Sequence, residues 1–170
     1  MKSVAFFRNL NQGQAASPTS AALLAAFADA GATELSAYRS NGTVIFDADA
    51  PQRCAEAAAE LLGARSSWSD VAFVRSSAWI AELAGELTTR PPGPLERTEV
   101  SFFDESIPLD DLPFGGIRST VVAGGLGYAV TVNELPRTSQ ATPTLERLIG
   151  SPVTSRGAST IIGLARRLAL

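Results

Sequence analysis

Apolar and polar positions recur along the chain with two periods, and their succession predicts the elements. Val4 to Asn9 reads as a short β-type run. Ser17-Pro18 then opens a helix with a serine cap and proline at the first helical position, carrying Leu23, Leu24, Phe27 and Ala30 on one face and stopping at Gly31. Leu35 to Arg39 and Thr43 to Asp47 are predicted strands joined through Ser40-Asn41-Gly42, where the Asn-Gly pair signals an antiparallel hairpin. After Asp49-Ala50-Pro51 a second helix runs to about Leu62, with Cys54, Ala58, Leu61 and Leu62 at helical spacing. Trp68 to Arg75 supplies a further strand, so residues 4–75 read β-α-β-β-α-β.

The pattern then returns. A helix at Ser77 to Leu87 presents Ile80, Leu83, Ala84 and Leu87 on one side, and Thr88 to Pro94, rich in proline, makes a linker. Glu99 to Phe103 is a strand, and Asp110-Asp111-Leu112 suits a short helical turn. Ile117 to Ala123 and Tyr128 to Val132 pair across Gly124 to Gly127. Thr142-Pro143 caps a helix ending at Gly150, Pro152 to Arg156 is a strand, and Ser159 opens a last helix with Ile161, Leu164, Ala165 and Leu168 on its inner face. Hairpin, helix and strand thus recur in residues 35–75 and 117–156, which implies a structural duplication. The expected fold is α+β: two fused ferredoxin-like halves with antiparallel sheets, residues 1–87 and 95–170, joined by the linker 88–94.

Composition narrows the chemistry. At 170 residues and 45% apolar, the chain can bury a core without a metal or disulfide staple. No apolar run approaches the length of a membrane span, and the short N-terminal run is broken by Arg8 and Asn9, so a cytoplasmic protein is expected. There is no histidine and one cysteine, which leaves too few ligands for the usual zinc, iron–sulfur or copper sites and removes the Ser-His-Asp and Cys-His systems. No metal and no cofactor are expected, and Cys54 reads as a small core residue. Thirteen of the fourteen cations are arginine, mainly a matter of overall composition. The net charge of -3 and the lack of a basic cluster argue against nucleic acid as a partner.

Single motifs reduce to structural roles. Gly124-Gly125-Leu126-Gly127 precedes no helix and reads as a hairpin turn rather than a phosphate loop. Asp47 and Asp49, without a third carboxylate, suit a helix cap, and Asp104-Glu105 and Asp110-Asp111 suit solvated loops. Three polar sets stand out at strand ends and helix starts: residues 8–13, 41–43 and 154–160.

These sets carry a resemblance. F-F-R-N-L-N-Q-G-Q is similar to the L-L-R-G-I-N-V-G-G signature of a bacterial family catalogued as domain of unknown function sixteen ninety-seven. A-Y-R-S-N-G-T-V-I-F resembles its T-Y-I-Q-S-G-N-V-V-F, and T-S-R-G-A-S-T-I-I-G-L its T-x-R-N-W-N-T-V-x-K-L. The resemblance spans almost the whole chain and implies two ferredoxin-like halves; it implies no activity. Matching polar positions are Arg8, Asn11, Gly42, Thr154, Arg156 and Thr160. Asn9 replaces a family glycine, Thr43 an asparagine, and Gly157-Ala158-Ser159 the Asn-Trp-Asn, which reshapes whatever those residues line.

Two roles follow for these residues. They satisfy turn carbonyls and tie elements together, or they converge as a pocket in which Arg8 and Arg156 grip an anion. The candidate ligand-binding residues are Arg8, Asn9, Asn11, Asn41, Thr43, Arg156, Ser159 and Thr160. The functional expectation is a binding protein for a small anionic or polar molecule, or a cofactor-independent cyclase or isomerase using Tyr38, Tyr128 or a carboxylate for proton transfer. The alternative is a noncatalytic protein-interaction or RNA-binding module. The sequence leaves the oligomeric state open.

Overall fold

The computed structural model describes residues 2–12, 14, 17–109, 119–137 and 139–169, with 119 and 120 described by their backbone. Among the described residues the strands and α-helices follow in chain order: β1 (Lys2–Phe7), α1 (Ser20–Asp29), β2 (Thr33–Tyr38), β3 (Thr43–Asp47), α2 (Pro51–Arg65), β4 (Ala72–Ser76), α3 (Ser77–Thr89), β5 (Thr98–Phe102), β6 (Ser119–Gly125), β7 (Tyr128–Asn133), α4 (Ala141–Ile149), β8 (Thr154–Gly157) and α5 (Ala158–Leu168), with a short 3-10 turn at Leu95–Arg97 before β5. They form two four-stranded antiparallel sheets, ordered β2-β3-β1-β4 and β6-β7-β5-β8. The α+β class read from the pattern is what the chain forms. Contacts divide it into two compact units, Met1–Ser77 and Ala78–Leu170. Both sheets share one permutation, with β5, β6, β7 and β8 standing where β1, β2, β3 and β4 stand, so the duplication lies in the topology.

In the first unit, alternation along the strands decides which side chains meet the helices. Ala5 and Phe7 of β1, Val44 and Phe46 of β3, and Val74 of β4 join Leu23, Phe27, Cys54, Ala58 and Leu62 in one core. Aromatic rings fill its centre: Phe27 lies 4.8 Å from Phe46 and 5.8 Å from Phe7, and Trp68 lies 5.3 Å from Phe7. Val4, Phe6 and Ile45, on the opposite face, are buried as well. That is why β1 reads as a continuous apolar run rather than an alternating one. In the second unit Phe103, Leu109, Ala129, Ala141, Leu145 and Val153 form a core.

Several boundaries differ from the sequence reading. Helix α1 begins at Ser20, and Thr19 is its cap, its Oγ1 accepting from the Ala22 N–H at 3.1 Å. Trp68 lies in the loop before β4, where burial under Phe7 explains its apolar appearance. Helix α4 starts at Ala141, and Gly150 ends it in the left-handed conformation (φ 71°). β8 runs into α5 at Gly157-Ala158 with no intervening loop. The helical turn expected at 110–112 and the start of the strand expected at 117 lie outside the described residues. Among the described residues, no helix is long and apolar enough to cross a membrane.

Candidate functional site

In the first unit, loops from three connections meet at the end of β1. The Phe7 N–H donates to the Gly42 carbonyl at 2.8 Å, the Arg8 N–H to the Val71 carbonyl at 2.9 Å, and the Gln12 N–H to the Ser40 carbonyl at 2.8 Å. Trp68 donates its indole N–H to the Arg8 carbonyl at 3.0 Å. The β1–α1 loop, the β2–β3 turn and the α2–β4 loop are therefore tied together by main-chain groups.

Asp70 is the charged centre of this end. Its Oδ2 accepts from Arg8 Nη1 at 2.6 Å and from Asn9 Nδ2 at 2.8 Å, and its Oδ1 accepts from the Val71 N–H at 2.8 Å. Asn9 reaches it because its backbone is left-handed (φ 51°), a conformation asparagine tolerates and where glycine is otherwise the usual residue. Asn41 accepts from the Thr43 hydroxyl at 2.8 Å, which braces the hairpin turn. Ser20 donates to the Gln12 side-chain carbonyl at 2.6 Å, while the buried Gln12 Nε2 and Ser17 Oγ have no partner among the described residues. Asn11 is exposed.

Beside Asp70 opens a groove of about 540 Å³, bounded by α2 and the start of β4. Gln52, Glu56, Glu60, Ser69 and Asp70 give it polar walls, and Gln52 donates to Glu56 at 2.9 Å. The carboxylates make its lining negative. Gly63 sits in the lining with the Trp68 carbonyl 3.3 Å from where a Cβ would lie.

The other candidates lie in the second unit. Arg156 is 7% exposed, and its Nη1 donates to the Thr154 hydroxyl at 2.9 Å and the Ser155 carbonyl at 2.8 Å. Burial lowers its guanidinium to about 10, so it stays charged at neutral pH. Thr160 is buried, and Ser159 is exposed on the first turn of α5. The eight candidates thus divide: Arg8, Asn9, Asn11, Asn41 and Thr43 belong to the first unit, and Arg156, Ser159 and Thr160 to the second.

Sequence reasoning missed Arg75. It pairs with Val4 in β4 as Arg156 pairs with Val100 in β8, it is equally buried at 6%, and its Nη1 donates to the preceding carbonyl of Val74 at 2.8 Å. Laying one half on the other would have found it, since each arginine sits just before the start of a helix. Asp70 was also missed; a lone aspartate in a loop carries no local signal. In the second unit a chain of hydroxyls links Ser101, Ser155, Thr142 and Ser139, with Ser155 bonded to both Ser101 (2.8 Å) and Thr142.

Of the proton-transfer candidates, Tyr38 ends β2 with the Arg39 guanidinium 5.7 Å from its ring centre. Tyr128 opens β7, and its phenol is pushed up by burial, then by Glu86 and Glu82. Cys54 donates its thiol to the Ala30 carbonyl at 3.6 Å, and desolvation pushes its pKa up, which keeps it an inert core thiol. Among the described residues no three Cys, Asp or Glu side chains gather as metal ligands.

Comparison with known proteins bears on the fold. Residues 1–112 match the family described as "Protein of unknown function (DUF1697)". Among solved structures the chain is similar to the conserved bacterial protein SP0830 from Streptococcus pneumoniae, with a TM-score of 0.63 and 16% identity over 98% of each chain. No curated protein sequence matches the chain.

Proposed function

The chain belongs to this DUF1697 family, and from that premise we propose that it is a binding protein for a small polar molecule, held in the groove of its first unit. One observation carries the reading: the groove of about 540 Å³ has Asp70 in its lining, and Asp70 is the residue that clasps Arg8 and Asn9 of the family-like motif. The motif thereby holds one wall of the groove rigid, and a site whose polar groups are fixed in advance binds at a lower entropic cost. The volume falls within the range of small-molecule sites. Glu56, Glu60 and Asp70 favour a ligand rich in hydrogen-bond donors over an anion, and Arg8 is already engaged by a carboxylate. Gln52 and Ser69 add neutral partners that fix orientation. A cytoplasmic setting goes with this reading, supported by the free, buried Cys54, which suits a reducing compartment.

The test is a thermal-shift screen of polar metabolites, amino alcohols and polyols included. A ligand present at about a hundred times its Kd adds about 2.7 kcal/mol, which for a chain of this size raises Tm by roughly 5–10 °C. The E56Q/E60Q variant changes two exposed side chains, so it should keep the unliganded Tm and lose that shift. A screen without hits, or hits that survive the double change, overturns the groove as the binding site.

A further inference from the structure

The cross-strand registers lay the second sheet on the first residue by residue. With Arg156 placed on Arg75, Val100-Ser101-Phe102-Phe103 falls on Val4-Ala5-Phe6-Phe7. Where the first unit packs Ala5, Phe46 and Val74 into its core, the second carries Ser101, Thr131 and Ser155, and Glu99 stands in the place of Ser3. A hydrophobic surface is thus exchanged for a polar interior, which costs stability unless its groups find partners. Glu99 gathers most of them. Its carboxylate accepts from Asn133 Nδ2 at 2.6 Å, from the Ser139 hydroxyl and from the Gln140 N–H. Behind Ser139 the hydroxyls of Thr142, Ser155 and Ser101 follow in one hydrogen-bonded chain. Because Ser139 spends its proton on the carboxylate, each hydroxyl behind it must donate toward Glu99, so one charge orients all four. One group is left over: Thr131, directly across from Glu99 on β7 and 0% exposed, has a hydroxyl without a partner among the described residues.

We infer that Glu99 is a proton-operated clasp between the second sheet and the approach to α4: ionised it holds Ser139 and Gln140, and protonated it turns to the Thr131 hydroxyl and lets them go. Asn133 Nδ2 and the Gln140 N–H can only donate, so a proton arriving on Glu99 cannot be directed at either. The Ser139 hydroxyl could accept it only if every hydroxyl behind it reversed. Thr131 Oγ1 is an unused acceptor on the same face, and a bond to it satisfies a buried polar group. The groups facing Glu99 are neutral: Thr131 and Asn133 from β7, Gly157 from β8, and Ser139, Gln140 and Thr142 at the start of α4. Among the described residues, the nearby charged side chains Glu96, Arg97, Glu134 and Arg137 are exposed, as are Arg166 and Arg167 in the last turn of α5, and none of them contributes to its shift. Burial therefore sets the direction, and the exchange falls above the ordinary glutamate range.

Every residue of the clasp lies in the second unit, so it stands or falls independently of the groove. It is tested on the full chain by NMR across a pH series, following the Glu99 carboxyl carbon, the Gln140 N–H and the Asn133 side-chain amide. All three should titrate with one midpoint above the ordinary glutamate range. Below that midpoint the Gln140 amide, measured against its unstructured exchange rate, should exchange at least about tenfold faster with solvent. Glu99→Gln, which cannot ionise, should hold the Gln140 signal at its acid-side position at every pH. Thr131→Val keeps the shape and removes the acceptor, so the midpoint should fall by at least about half a pH unit. A Gln140 signal that does not follow Glu99, equal exchange on both sides of the midpoint, a base-side position in Glu99→Gln, or an unchanged midpoint in Thr131→Val would each overturn the assignment.

Discussion

Gly42 shows how one residue can be held by its surroundings. Its φ of 68° lies in the left-handed region, and a Cβ there would stand 2.9 Å from both the Leu10 and Phe7 β-carbons. Conformation and space therefore both require glycine, because the β2–β3 turn is pressed against the end of β1. Gly42→Ala should cost at least about 2 kcal/mol, from combined backbone strain and overpacking; urea unfolding checks it, and a change below about 0.5 kcal/mol would refute the close approach. The Asn-Gly pair was legible in the sequence as a turn, whereas the contact with Leu10 was not, because no local pattern records which loop lies across which. The same limit applies to Arg8. Its motif was visible, and its partner Asp70, sixty-two residues away, was not.

At the level of elements, the cap read from the sequence for α1 is not the one the fold uses. Ser17 followed by Pro18 has the composition of a helix start, but the helix begins at Ser20 and Thr19 accepts the capping bond. Thr19→Ala should therefore destabilise by about 1 kcal/mol, while Ser17→Ala, removing a buried hydroxyl with no partner among the described residues, should be neutral or slightly stabilising. Chemical denaturation of the two variants decides, and a larger loss for Ser17 would return the cap to that position. The strand-to-helix junctions teach a related lesson. Arg75 and Arg156 each lie near the end of a strand, two residues before the helix begins, with a guanidinium bonded to the preceding carbonyl. Two equivalent buried arginines in two topologically equivalent strands make the position a feature of the fold, an argument that a single motif near the C-terminus could not supply.

For the whole molecule, the pH dependence of stability follows from the groups whose proton affinity changes on folding. Glu99 on β5 is pushed up by burial, with Asn133, Ser139 and Gln140 pulling it partly back. The folded protein therefore keeps a proton just above the ordinary glutamate range that the unfolded chain has already released. Stability should fall as pH rises through that window and level off above the folded pKa, and Glu99→Gln should flatten the fall. Asp104 is shifted the opposite way by its bonds from Ser106, so its contribution is lost as pH falls below the ordinary aspartate range. Urea midpoints at closely spaced pH values separate the two, and a wild-type profile rising through the Glu99 window would contradict its burial. Periodicity by itself determined the α+β class, the order of elements and most inward-facing residues, because the spacing of apolar side chains is set by the local geometry of helix and strand. The antiparallel hairpin turn at Asn41-Gly42 was local in the same sense. Only the tertiary structure decided that Asp70 meets Arg8 and that Trp79 meets Tyr128. Those meetings join positions far apart in the chain, and what brings them together is the burial of the surfaces between them rather than any preference of the residues themselves.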